Sequence, residues 1–410
     1  MATASGARAV DHTAMPSSAT GAGQDPRSLL VAIAGGHAVK HVFVSGLFVI
    51  LPELKASLGL SNAGLGTIAT ARSVVGGLAN APSGFLADRY RRHFSPMLVA
   101  ILVFIGVFQF ALSRSVGVID ATVWASALAV LFTAWHPPAI GVLSQVFSDR
   151  RGLAIALHGT GASIGETLGP LIAGALLLAM SWQSVLQVAI VPATIAALIV
   201  WVMTRNYEIE SLPTSVSGYL RSSIRLVRTP QILAVLFVAG TFGAGQSAVF
   251  VFLPVYVRED LGQSTLTVGL YVALAQGVGI AAQPVMGYLL DRVGRRVVIV
   301  PALLTLGVAL LGMYAAGEGL FFLIALAVAG AFLFSTTAML VTVACDIAGD
   351  GVQATTVSLV YSALALFAGL GPLFAGFVAD EFSVRAVFLY SGSLTTAAGL
   401  LALGIRMRAA

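Results

Sequence analysis

Apolar runs about twenty residues long, separated by short polar turns, recur from residue 29 to residue 405. Runs of that length match the hydrocarbon thickness of a bilayer. Charged residues make up only 10% of the chain, against about 25% in soluble globular proteins, too few to cover a water-exposed surface. In lipid every backbone polar group needs an internal partner, so the spans must be helices or closed barrel strands. Continuous apolar runs, in place of short alternating segments, decide for helices. The fold class is therefore an all-α membrane protein. Twelve transmembrane helices are expected at 29–52, 64–86, 94–113, 119–147, 152–178, 182–204, 231–257, 266–290, 297–316, 319–345, 353–379 and 384–405.

These spans divide into two six-helix bundles, 29–204 and 231–410. Residues 1–28, rich in Ala, Gly, Ser and Thr, read as a disordered cytoplasmic tail. No charged n-region leads directly into a short apolar core, so no cleaved signal peptide is expected. Residues 205–230 form a cytoplasmic linker carrying Arg205, Glu208, Glu210, Arg221, Arg225 and Arg228. Arg221, Arg225 and Arg228 fall on one helical face beside Leu220, Ile224 and Val227, which suits either a short helix on the inner leaflet or a solvated linker.

The bundles repeat each other at an offset of about 202 residues. Phe48-Val-Ile-Leu-Pro52 returns as Phe250-Val-Phe-Leu-Pro254, Gly59-Leu-Ser61 as Gly262-Gln-Ser264, Pro82 as Pro284, and Gly169-Pro170 as Gly371-Pro372. A basic turn also appears twice. The first copy is Gly84-Phe-Leu-Ala-Asp88-Arg89-Tyr-Arg91-Arg92 and the second is Gly287-Tyr-Leu-Leu-Asp291-Arg292-Val-Gly294-Arg295-Arg296. Its glycines are expected to permit close helix contact, and its aspartates to accept from an arginine or a helix N-terminus. Such a set can latch helices at the membrane edge; an ordinary edge turn obeying the charge rule is the plainer reading.

Basic residues set the orientation. With a cytoplasmic N-terminus, the inner side receives Arg89, Arg91, Arg92, Arg150, Arg151, the linker arginines, Arg292, Arg295, Arg296, Arg406 and Arg408, and the outer side keeps Lys55, Arg114, Arg258 and Arg385. The expectation is a multi-pass protein of a bacterial-type cytoplasmic (inner) membrane with both termini cytoplasmic. Scattered over short turns, these arginines account for the net charge of +5 without a nucleic-acid partner.

The chain resembles the major facilitator superfamily on these turns, the second copy matching that family's loop motif and the first departing from it with Arg91 where the second glycine is usual. The resemblance implies two pseudo-symmetric halves, alternating access, and a central cavity lined mainly by the first, fourth, seventh and tenth helices. A narrower resemblance rests on Trp135-His136-Pro137-Pro138 in the fourth span. With it go Arg151-Gly152-Leu-Ala and Gly161-Ala-Ser-Ile-Gly165-Glu166-Thr-Leu-Gly169-Pro170 in the fifth. This set looks like the fosmidomycin-resistance-type branch of exporters. The first span departs from that branch, reading Gly36-His37-Ala-Val-Lys40-His41 without the acidic residue expected about a turn after the histidine.

Ionisable groups inside the spans carry the functional argument. A charge at the bilayer centre costs about 2.5–3.5 kcal/mol, so several of them require partners or a wet cavity. His37, Lys40, His41, Arg72, His136, His158 and Glu166 all lie in the first half, while Asp346 and Asp380 sit at helix ends. His37 and His41 share a helical face with Lys40 beside them, and Lys40, His136 and Glu166 are expected to meet near mid-membrane. Pro137 and Pro138 leave carbonyls one turn back without donors, opening a polar pocket at His136. Arg72 and Glu166 read either as a structural ion pair or as part of the pathway, and His158 as a histidine bonded to a backbone carbonyl. Glu166 is the expected proton carrier, with the histidines as the other candidates.

The stripe Gly161, Gly165, Gly169 permits tight helix packing. Gly169-Pro170 and its repeat Gly371-Pro372 are the expected bends. Uncharged candidates in the second half are Gln246, Tyr256, Ser335, Thr336 and Thr337.

The expected function is proton-coupled secondary transport by alternating access, as an exporter of a small anionic or zwitterionic organic compound or drug. A proton-coupled importer of an organic acid is the nearest alternative. A non-transporting sensor or assembly factor on the same fold is the alternative of another class. The expected partners are the small-molecule substrate, protons and the lipid bilayer, and the chain is expected to be monomeric. An enzyme is not expected, because no nucleophile–base set or phosphate loop is visible. Nor is any cofactor or metal: the single Cys345 excludes a disulfide framework or cysteine-built metal centre, and no dense His/Asp/Glu ligand motif appears.

Overall fold

The computed structural model describes residues 25–207, 209, 224–226, 228–348 and 353–405. The expected tail up to residue 24, most of the expected linker (Glu208, Glu210, Leu220, Arg221 and Val227 among it), and Arg406 and Arg408 lie outside the described residues.

Twelve helical passes follow one another among the described residues, and no strand occurs among them. They are α1 (Pro26–Ser57), α2 (Asn62–Arg89), α3 (Phe94–Leu112), α4 (Val118–Val146), α5 (Arg151–Leu176) and α6 (Trp182–Thr204). Then come α7 (Pro230–Asp260), α8 (Thr265–Val293), α9 (Arg295–Ala316), α10 (Gly319–Ala348), α11 (Gln353–Leu366, continuing as Gly371–Glu381) and α12 (Ala386–Ala402). Nine of them are long and apolar enough to cross a membrane, and α12 is a shorter apolar helix. The remaining two, α2 and α5, have 28 and 26 residues but more polar sequences. Each is flanked by other helices: α5 lies along α1 and α8, and α2 along α4 and α11. A helix covered by other helices can carry the polar groups that lipid would reject.

Several helices outrun the spans read from hydropathy, because a helix ends at a cap and not at the edge of the hydrocarbon. The Asp25 carboxylate accepts the Arg27 N–H with Pro26 in the first turn, so α1 starts inside the expected tail, three residues before 29. Ser61 and Ser264 cap α2 and α8 in the same way, each just after a glycine in the left-handed region, Gly59 (φ 60°) and Gly262 (φ 62°).

One hydrophobic core gathers residues between Leu29 and Ile209. The other gathers residues from Ile232 to Ile405 and takes in only Val49, Leu65, Ala69 and Ala173 from the first half. The halves meet through small residues in a two-fold pattern. A Cβ on Gly269 would strike the Pro170 carbonyl, and one on Gly66 would strike the Pro372 carbonyl. In the same sense Gly174 abuts the Thr265 carbonyl and Gly376 the Asn62 carbonyl. The sequence repeat is thus also a repeat of contacts.

The ends of the passes define an arginine-rich face and an opposite face. At the opposite face α1 is tied to α7 by Arg258 Nε–Glu53 Oε1 and Lys55 Nζ–Glu259 Oε2, both 2.6 Å. There too the Asp380 carboxylate accepts the Asn62 and Ala63 N–H groups at 2.9 and 2.8 Å, joining α11 to the start of α2. At the arginine-rich face the ion pairs stay within a half, among the described residues. Asp88 pairs with Arg91 (2.5 Å), and Arg295 bridges Asp291 (3.0 Å) and Asp346 (2.9 Å). Arg296 donates to the Leu403 carbonyl, whereas Arg89, Arg92 and Arg292 are exposed, Arg292 lying over the Tyr288 ring.

The two basic turns differ where their sequences do. Gly294, at φ 107°, separates α8 from α9, while the first copy passes through a short 3-10 turn, Arg91–His93. The close helix contact expected at Gly84 and Gly287 is absent. Nothing lies within 4 Å of a Cβ built on either glycine, because the halves close on each other at the opposite face in this conformation.

Candidate functional site

The site is built where α4 breaks. Its first segment ends at Ala134 and its second starts at His136, with Pro137 and Pro138 in the first turn. Proline lacks an N–H, so the carbonyls of Thr133 and Ala134 lose their helical donors. Side chains take over part of that region. Thr133 becomes a backbone hydrogen-bond partner of the His136 ring, and Lys40 Nζ donates to the Phe132 carbonyl at 3.2 Å.

Helix α5 brings the third wall. Along it Gly161, Gly165 and Gly169 press against α1, where a Cβ would collide with the carbonyls of Ala34, Ala38 and Val42 respectively. This approach sets Glu166 beside His41, with Oε1 3.0 Å from Nδ1, close enough for an ion pair although off the direction of an ideal hydrogen bond. Gly371 repeats the device in the second half against the Ala244 carbonyl of α7.

Lys40, His136 and Glu166 therefore gather as expected. Lys40 is only 1% exposed. Fourteen residues past Pro26, it lies about 21 Å along α1. His37 Nε2 is 3.1 Å from His41 Nε2 and 3.3 Å from His136 Nε2, and Lys40 Nζ is 3.4 Å from His136 Nε2. Ligand atoms of His37, His41 and His136 all lie within 4.8 Å of one another. Spacing along the chain shows no dense ligand motif, and folding brings His136 onto a pair 95 and 99 residues earlier.

Two expectations are corrected. Arg72 does not pair with Glu166. Its guanidinium carbon lies 5.5 Å from the Phe48 ring centroid and 6.0 Å from that of Phe132, and its buried Nε has no hydrogen-bond partner. Glu166 has His41 instead. His158 does not use its ring on a backbone carbonyl: its ring stacks on His37 at 3.8 Å, and neither ring nitrogen has a partner. The roles are reversed, for the His158 carbonyl accepts from His37 Nδ1 at 2.9 Å. Trp135 lies parallel to His37 on its other flank, with centroids 6.3 Å apart. His158 was legible in principle. At spacings of three, four and four it begins the stripe of Gly161, Gly165 and Gly169, which faces α1.

An aromatic row continues from this site into the second half: Phe48 meets Phe250 at 5.7 Å and Phe250 meets Phe334 at 5.3 Å. Beyond it, polar side chains serve backbone carbonyls. Gln246 donates to Leu333, Tyr256 to Gly317, Ser335 to Ala331 and Thr336 to Phe332.

The family model described as Major Facilitator Superfamily matches residues 33–282 and 235–409. The multi-drug resistance efflux pump PmrA of Streptococcus pneumoniae is 30% identical over 168 residues, which span 39% of this chain and only 40% of that pump. The fosmidomycin resistance protein of Escherichia coli is 24% identical over 280 residues, 66% of this chain and 67% of that protein. Among solved structures, a nucleoside transporter NupG superposes with a TM-score of 0.76 at 11% identity, over 92% of this chain and 98% of that one. A bacterial homologue of the lysosomal transporter Spinster gives 0.74 at 16% identity, over 93% and 96%. At such identities these structures speak for the fold alone.

Proposed function

We propose, from the premise that the chain belongs to the Major Facilitator Superfamily and is a non-enzymatic secondary transporter, that it exports a small anionic or zwitterionic organic compound in exchange for protons. One observation carries the choice of cargo. Lys40 and Arg72 are cationic side chains at depth, and neither has a carboxylate within ion-pair distance among the described residues, since Glu166 is turned to His41. A cation in that position is costly until an anion joins it. The Phe48 and Phe132 rings beneath Arg72, with Phe250 next in the row, suit the carbon body of an organic anion. The proposed pathway residues are His37, Lys40, His41, Arg72, His136 and Glu166. The Gly84–Arg92 and Gly287–Arg296 turns are the proposed moving edges, and Gly165, Gly169, Pro170, Gly371 and Pro372 the proposed bends.

Export is supported by the names of the relatives, an efflux pump and a resistance protein. Protons are the proposed counter-ion, because one charge moving through the membrane field gains about 2.3 kcal/mol per 100 mV. We place both termini in the cytoplasm of a cell with a bacterial-type inner membrane, and read the working unit as a monomer of two six-helix bundles. Under that orientation the ion pairs at Glu53 and Lys55 close the outward side.

The test is flux in proteoliposomes across a panel of carboxylates, phosphonates and lipophilic cations, with and without an imposed proton gradient. Gradient-driven exchange of an anionic member, lost in Lys40→Ala and Arg72→Ala, is the expected result. Preference for lipophilic cations, or anion flux indifferent to both substitutions, would contradict the proposal. Co-transport of the anion down the proton gradient would contradict its direction.

A further inference from the structure

We infer that His37, His41 and His136 form a binding site for a divalent first-row transition-metal ion of the zinc type. The inference does not depend on which solute is carried or in which direction.

A backbone carbonyl can only accept, so His37 Nδ1, 2.9 Å from the His158 carbonyl, carries the hydrogen and His37 Nε2 presents a lone pair. His41 Nδ1 lies 3.0 Å from Glu166 Oε1, off the direction of an ideal hydrogen bond, and in the tautomer with its hydrogen on that nitrogen His41 Nε2 presents a lone pair. His136 offers Nε2 to the Lys40 ammonium group, which can only donate, while the Thr133 backbone serves as its ring's hydrogen-bond acceptor. In that tautomer three Nε2 lone pairs converge, two of the separations being 3.1 and 3.3 Å. Lone pairs at that distance repel unless a cation lies among them.

The distances suit a metal. Tetrahedral donors at the usual Zn–N distance of ~2.0–2.1 Å stand about 3.3–3.4 Å apart. All three ligand atoms lie within 4.8 Å of one another, and the widest pair must draw closer as an ion enters. The surroundings suit it as well. Imidazole ligands in metal sites hand their other nitrogen to a carboxylate or a carbonyl, which fixes the tautomer and orients the ring. Here Glu166 and the His158 and Thr133 backbones take those positions. An all-imidazole set selects zinc, copper, nickel or cobalt over magnesium or calcium. Lys40 is the opposing element, since its ammonium group must leave His136 Nε2 when an ion enters.

The probe is Co2+, titrated into the purified full-length chain in detergent after removal of any histidine tag, and followed by the visible bands of tetrahedral cobalt. Variants are accepted only when they elute as the unsubstituted protein does and melt no lower. About one ion per chain is expected, displaced by Zn2+, with the bands lost in His37→Ala and His136→Ala. Glu166→Gln should weaken binding by about ten- to a hundredfold, and Lys40→Met should tighten it by about tenfold or more. His158→Phe, which keeps the stack on His37 but no ring nitrogen, should bind as the unsubstituted chain does. A well-folded chain without tetrahedral cobalt bands overturns the inference and leaves a shared proton as the cation of the cluster. Bands that persist in His136→Ala, or vanish in His158→Phe, overturn the ligand assignment.

Discussion

In both halves of the chain the first helix reaches into a break in the fourth. Lys40 of α1 donates to the Phe132 carbonyl beside the break at Trp135, and Gln246 of α7 donates to the Leu333 carbonyl beside the break at Phe334. The surroundings of these two bonds could hardly differ more. At the repeat offset of about 202, His37, Lys40, His41 and Glu166 face Ala239, Phe242, Gly243 and Ala368. Ala239, Phe242 and Gly243 are buried in the second core, and a Cβ on Gly243 would strike Ala368. One backbone plan has been kept twice, with ionisable groups at depth in the first copy and close packing in the second. The difference separates the shared parts (glycine stripes, caps, broken helices), which belong to architecture, from the ionisable groups at depth, which only the first half carries and where we place recognition.

Four sets of substitutions test that division, from the largest expected effect to the smallest. Lys40→Met should raise the melting temperature in detergent while abolishing anion exchange, because removing an unpaired buried cation relieves about 2.5–3.5 kcal/mol. Gln246→Leu, at the matching break, should do neither. A lowered melting temperature for Lys40→Met would mean that the cation is structural. Next, Gly165→Leu and Gly371→Leu should each destabilise by about 1–3 kcal/mol through overpacking, against Ala38 and Ala244 respectively. Similar losses from both would confirm that packing is symmetric where chemistry is not. Asp380→Asn weakens the cap on α2 and should cost about 1 kcal/mol, read as an earlier thermal transition. Last, exchanging the charges of the part-exposed Glu53–Arg258 pair should change stability by less than about 1 kcal/mol. A large effect there would make the closed opposite face an electrostatic device and not a packed one.

How much of this could be read in advance follows from the range of each interaction. The spans, the repeat and the gathering of Lys40, His136 and Glu166 were legible, because hydropathy is local and depth along a helix is arithmetic. The Arg72–Glu166 alternative failed because two neighbouring helices can present opposite charges at one depth and still turn them to different partners. Glu166 faces α1 only because the glycine stripe of α5 does. The stripe turns His158 toward α1, but which ring it stacks on stayed hidden for the complementary reason: that partner is on another helix, 121 residues away in the chain. Asp380 read as a helix-end residue, yet its carboxylate caps a helix more than 300 residues earlier, a contact that no local pattern encodes. Nor does spacing along the chain reveal three imidazoles whose nitrogens meet only after α4 bends.

The most direct measurement is the initial rate of anion exchange in proteoliposomes for Arg72→Gln and Gln246→Leu, side by side at matched protein density. Removing a hydrogen bond to a charged group costs about 1.5–3 kcal/mol, so the account predicts a loss of at least about tenfold for Arg72→Gln, with Gln246→Leu staying within about threefold of the unsubstituted protein. Equal losses from the two, or the larger loss from Gln246→Leu, would contradict the claim that recognition resides in the first half.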